Sequence, residues 1–178
     1  MEEEVKQVKE DALKADYSDM RIFLHTGDLL AWSTDRTTFW SRMLTTFVRF
    51  FTLSEFAHVG IAYRDDNGRV YVLEATIPTI QMRLLSEVKG FYHVPMQIQW
   101  NDDLDVYLKH YTGKPYSLMD CIRGYLGHTD PSDDKWQCAE LCNDFYKHAG
   151  IDLGDNYTPS KVVMEAISVK HTGITFIK

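Results

Sequence analysis

Asp133-Asp134-Lys135-Trp136-Gln137-Cys138-Ala139-Glu140-Leu141-Cys142-Asn143-Asp144-Phe145-Tyr146 turns from polar to amphipathic at Cys138. From there Cys138, Leu141, Cys142, Phe145, Tyr146 and Ala149 recur at three- and four-residue spacing, which predicts one apolar face of a helix. Glu140, Asn143, Asp144 and Lys147 take the other face, and Gly150 supplies a stop. Ser132, Asp133 and Asp134 are candidate N-caps, and Gln137 follows Asp134 at the spacing of a capping box. Cys138 is thereby placed in a first turn, where backbone N–H groups are unpaired and the helix dipole favours an anion. A thiolate is such an anion. Cys142 lies one turn deeper without that advantage. Taken alone, both cysteines also suit a core helix, because free cysteine is commonly buried.

Bulk composition narrows the field. The chain has 178 residues, 44% of them hydrophobic and 13% aromatic, enough for one domain with a substantial core. A net charge of −7 argues against nucleic acid and anionic lipid as partners. Three cysteines, an odd number, do not suggest a disulfide framework and fit a reducing compartment. The start, Met1-Glu2-Glu3-Glu4, is acidic where a secretory signal is basic. No run approaches the ~18 apolar residues of a membrane span. The expectation is a cytoplasmic protein without an integral membrane segment; the oligomeric state is open.

Residues 1–20 read as an arm or short helix, and 21–178 as a single domain. Arg21–Leu24 is a candidate short strand, and Leu29–Trp32 a buried one. Phe39–Phe51 is an aromatic-rich helix, which suits a core helix, the lining of a greasy groove or a membrane surface. Phe56–Tyr63 and Arg69–Ala75 are strands joined by Asp65-Asp66-Asn67-Gly68, where Asn-Gly is a strong hairpin signal. Further strands are expected near Ile80–Leu84 and Tyr92–Gln99, making a four-stranded antiparallel meander. Helices are expected over Asp102–Tyr111 and Ser160–Ile167, with a terminal strand at Ile174–Ile177. The fold class is therefore α+β, an antiparallel sheet with packed helices.

The hairpin brings His58 and Glu74 within reach of each other on one face, with position 58 near position 77. A carboxylate beside an imidazole orients the ring and leaves its second nitrogen free for a thiol proton. Glu74 stands among Val72, Leu73 and Ala75, where an unpaired buried charge is costly. A helix presenting Cys138 to this pair completes a Cys-His-Glu triad. The rival reading is a zinc site from Cys138, Cys142 and His148. It is disfavoured because His148 lies six residues after Cys142, off the helix face. No metal or other cofactor is expected.

Five segments in order resemble the permuted NlpC/P60 family, the YiiX-like branch of papain-like enzymes. They are Gly27-Asp28-Leu29-Leu30, Phe56-Ala57-His58-Val59-Gly60-Ile61, Val72-Leu73-Glu74-Ala75, Gly113-Lys114-Pro115-Tyr116-Ser117 and Trp136-Gln137-Cys138-Ala139-Glu140-Leu141. The resemblance covers about residues 26–167 and implies a circularly permuted papain-like fold, with the histidine before the cysteine. It implies Cys138 as nucleophile, His58 as general base and Glu74 as the residue orienting it. Tyr116 falls where an oxyanion or substrate contact is expected, although Ser117 stands where the family more often has Asp.

The expected function is a thiol hydrolase, an amidase or peptidase with cell-wall peptides as one substrate class, working through an acyl-enzyme. Two alternatives remain. One is a lipid acyltransferase or phospholipase on the same fold, toward which the aromatic residues between Phe39 and Phe56 lean. The other is a non-catalytic binding or inhibitor protein. The expected partner is accordingly a peptide, amide or lipid substrate.

Overall fold

The structure is a computed structural model, and it describes residues 2–33, 55–88, 90–116, 136–155 and 158–178. The aromatic helix expected over Phe39–Phe51, Cys121, and the candidate caps Ser132, Asp133 and Asp134 lie outside the described residues.

The fold is α+β. A mixed seven-stranded sheet has the order β1-β7-β6-β2-β3-β4-β5. Its strands are β1 (Leu13–Ala15), β2 (Leu29–Ser33), β3 (Phe56–Arg64), β4 (Val70–Ala75), β5 (Ile80–Leu84), β6 (Phe91–Val94) and β7 (Thr175–Ile177). The helices among the described residues are α1 (Glu2–Glu10), α2 (Tyr17–Met20), α3 (Asp102–His110), α4 (Cys138–His148) and α5 (Pro159–Lys170). Every pairing is antiparallel except β1 with β7. The N-terminal stretch thus supplies α1, whose Val5 is buried, and then an edge strand.

Two expectations change. Arg21–Leu24 is no strand: Arg21–Phe23 forms a 3-10 turn directly after α2. Ile22 and Phe23 are both exposed while Leu24 is buried, a pattern that does not alternate as a sheet strand must. The meander is also shorter than expected. Strand β6 stops at Val94, before Pro95, which has no N–H to offer a ladder. It does not pair with β5 but crosses back to lie between β2 and β7.

Both faces of the sheet are covered. On one face Val59, Ile61, Leu73 and Ala75 pack with Leu141, Cys142 and Phe145 of α4 and Val162 and Val163 of α5. On the other, Leu30, Trp32, Ala62, Val72 and Phe91 pack with Leu24 and Leu85. The β3–β4 hairpin is closed by Asp65, whose Oδ1 accepts the N–H groups of Asn67 and Arg69, and by Gly68 at φ 74°. Helix α3 is capped by the Asn101 side chain, which accepts the Leu104 N–H. Asp102, Asp103 and Asp105 fill its first turn, and Lys109 and His110 its last.

Candidate active site

Helix α4 begins at Cys138, as its amphipathic pattern predicts, but its cap lies three residues later than Asp134. Gln137 is the N-cap. Its side chain accepts the Glu140 N–H, while the Glu140 carboxylate accepts the Gln137 N–H, a reciprocal capping box. The Gln137–Glu140 pair, not Asp134–Gln137, therefore starts the helix. The Cys138 and Ala139 N–H groups precede the first turn-closing bond, Leu141 N–H to Gln137 O.

A ladder of short backbone contacts brings this helix start to the sheet. Gly113 and Lys114 exchange bonds with Ile80, the Tyr116 N–H donates to Pro78 O, and the Trp136 N–H donates to Pro115 O. Trp136 is thereby paired with Tyr116 at the head of β5. Two residues further on comes Cys138, buried at 4% exposure. Helix α4 packs on β3 and β4, the strands that carry His58 and Glu74. At the far end of the helix the Tyr146 hydroxyl donates to Gly27 O at 3.0 Å, which pins α4 to the turn before β2.

Strand β3 holds His58 between β2 and β4. Its cross-strand partner on β2 is Trp32, and the two rings lie 5.3 Å apart. On the other side Ile61 pairs with Leu73. Continuing that register puts Gly60 level with Glu74 and His58 two residues beyond, slightly closer than a hairpin centred on Asn67-Gly68 predicts. Gly60 is required there by space. A Cβ on it would stand 2.7 Å from Val72 Cγ2 and 2.9 Å from Leu73 O. With no side chain between them, His58 Nε2–H donates to Glu74 Oε2 at 2.9 Å, both groups almost wholly buried.

Cys138 completes the set: it lies close enough to the His58 ring to act on the ring's pKa. Because Nε2 is given to Glu74, Nδ1 is the nitrogen left for sulfur. Burial on its own lowers the His58 pKa. The hydrogen bond and charge of Cys138, followed by those of Glu74, outweigh it and raise the ring to about 9. Cys142 is different: burial, with the neighbouring Cys138 charge adding to it, pushes its thiol well above the ordinary range. One buried thiol on this helix is thus paired with an imidazole and the other is enclosed by core.

The sequence-predicted residues Cys138, His58 and Glu74 are brought together. Tyr116 is joined to the start of this helix by its backbone pairing with Trp136. His148 of the rival metal set sits at the opposite end of α4. Its Nε2 is 2.7 Å from Asp103 Oδ2, and its ring is stacked on Tyr107 at 3.6 Å. Two neighbours were not anticipated. Trp32 follows from the β2–β3 register, which the sequence leaves open. Arg83 of β5 stands with Nη2 2.7 Å from Glu74 Oε1. A charge within β5 beside a buried carboxylate strand was the available signal for it, since Gln81 and Arg83 alternate with the apolar Ile80 and Met82.

The chain matches no protein-family model and no curated protein.

Proposed function

We propose that the protein is a thiol hydrolase that cleaves an amide or ester carbonyl through a covalent acyl-enzyme. The observation that carries this reading is the Cys138–His58–Glu74 set: a buried thiol at a helix start, close enough to an imidazole to act on its pKa, and that imidazole donating to a buried carboxylate at 2.9 Å. Nucleophile, base and orienting group occupy the order that such chemistry needs.

In the proposed reaction the Cys138 sulfur, its proton held by His58, attacks the carbonyl carbon. A C–S bond forms and the carbonyl oxygen becomes an oxyanion, aimed at the backbone N–H groups of the first turn of α4. As the C–N or C–O bond breaks, the His58 proton passes to the departing amine or alcohol. Water then attacks the thioester, His58 takes its proton, and the carboxylic acid leaves as the thiol reforms. Glu74 keeps Nδ1 of His58 turned toward sulfur throughout. The resemblance to permuted NlpC/P60 enzymes adds support for peptide amides as the substrate class, cell-wall peptides among them. Nothing among the described residues favours lipid acyl transfer or a purely binding role.

The test is intact-mass analysis of the protein incubated with peptide-amide, peptidoglycan-fragment and phospholipid libraries. An acyl adduct on Cys138, absent in Cys138→Ala, is the expected result. His58→Ala should slow turnover by about 10²–10⁴-fold. Hydrolysis that survives Cys138→Ala overturns the reading.

A further inference from the structure

Glu74 has two carboxylate oxygens, and His58 uses only one. The other, Oε1, lies 2.7 Å from Arg83 Nη2, an ion pair that is not aligned as a hydrogen bond. The Glu74 side chain is completely buried, and that of Arg83 is 17% exposed. The register explains the meeting. Val72 pairs with Arg83 and Glu74 with Gln81, so Arg83 is a diagonal neighbour of Glu74 on one face of the β4–β5 pair. Glu74 thus lies between Arg83 and His58, with Cys138 acting on the far side of the network.

We propose that Arg83 is a positioning residue of this site, holding the Glu74 carboxylate in place and paired with a cation while His58 passes between its protonated and neutral forms. The role rests on the thiol-hydrolase reading, because only a base that cycles its proton needs it. When His58 gives its proton to a leaving group, its ring becomes neutral. A wholly buried carboxylate would then face no positive charge, a costly state. Arginine cannot lose its proton, so Arg83 supplies the missing charge in both halves of the cycle. His58 is faced by Cys138 from α4 and by Glu74 from β4, with Arg83 of β5 behind Glu74. Its neighbour on β2, Trp32, is uncharged.

The sign of the effect follows from two arguments that agree. Removing Arg83 leaves Glu74 dependent on the imidazolium, so the ring holds its proton more tightly. It also removes a like charge from the neighbourhood of the ring, which acts in the same direction. Both raise the pH at which His58 becomes neutral.

The experiment compares the full chain with Arg83→Met, Arg83→Gln and Arg83→Lys. Three readings are taken: the His58 ring titration by NMR, assigned against His58→Gln; the pH profile of Cys138 alkylation by iodoacetamide; and thermal melting. Arg83→Met and Arg83→Gln should move the His58 midpoint, and the upper limb of the alkylation profile, up by about one pH unit. Arg83→Lys should keep most of the wild-type profile. In a Glu74→Gln background the Arg83→Met shift should shrink to the smaller part owed to direct charge repulsion. Folded neutral variants with an unchanged His58 titration overturn the proposal. So does loss of folding in both, which would make Arg83 only a structural counter-ion. The titration needs no substrate. A chain that hydrolyses nothing but shows the shift loses the hydrolase reading and keeps the coupling of Arg83 to His58. An active enzyme with an unshifted ring does the reverse.

Discussion

Trp32 lies directly across the sheet from His58, with its ring tilted 45° to the imidazole at a centroid separation of 5.3 Å. Its indole Nε1 is buried and meets no acceptor among the described residues. The contact is thus one of ring face and packing rather than of hydrogen bonding. Trp32→Phe keeps an aromatic face and removes an unsatisfied donor, so it should cost less than about 2 kcal/mol in urea unfolding. Trp32→Ala should cost about 3–5 kcal/mol. It should also lower the His58 midpoint in an NMR titration, since an aromatic face favours the imidazolium. A His58 midpoint equal in all three proteins would show that the ring acts through packing alone.

The raised pKa of His58 makes stability depend on alkaline pH. The folded ring binds its proton up to about pH 9, whereas an unfolded histidine releases it near 6.5. The folded state therefore holds the extra proton between those values. Its contribution is fully present below about pH 6.5 and is lost as the pH rises through about 9. Urea midpoints should fall over that window, and the fall should be smaller in His58→Gln. An unchanged slope in His58→Gln would assign the alkaline loss to other groups.

Thiol labelling should separate Cys138 from Cys142. Burial holds the Cys142 thiol protonated, while Cys138 lies against an imidazole whose pKa it raises. Iodoacetamide at pH 6 should alkylate Cys138 first in the native protein, and His58→Ala should slow the reaction. Cys142→Ala should leave the labelling intact and cost about 1 kcal/mol through a small cavity. Peptide mapping that finds Cys142 modified first would remove Cys138 as the nucleophile.

Gly60 sets the distance between β3 and β4 at the site. In Gly60→Ala the new methyl meets the Leu73 carbonyl oxygen at 2.9 Å and Val72 Cγ2 at 2.7 Å, so backbone has to move. The expected cost is about 1–3 kcal/mol. Because Glu74 Cβ is also within 3.4 Å, the shift should disturb the His58–Glu74 bond as well. The melting temperature should fall and Cys138 alkylation should slow together. A fall in stability with unaltered alkylation would show that the strands part without moving Glu74.

Residues close together in the chain were legible from the sequence. The helix Cys138–His148 follows from its own periodicity, and the β3–β4 hairpin from Asn67-Gly68 between two apolar runs. That hairpin is why the His58–Glu74 pair was foreseeable: only a short turn separates the partners, and alternation sets their face. Contacts that cross long stretches of chain were not. Strand β6 pairs with β2 and β7 instead of β5, because burial on both faces of the sheet, not proximity in sequence, selects its place. The helix cap moved to Gln137 because the reciprocal bonds with Glu140 satisfy two donors at once, a choice among several capping residues that local pattern does not rank. Arg83 reached Glu74, and Cys138 reached His58, through the β4–β5 register and the backbone ladder from Pro78 to Trp136. The sequence by itself determined which side chains are candidates for chemistry and which segments bear them. Tertiary packing alone decided which of those side chains meet, since the energy of each meeting depends on distance and burial that no local pattern contains.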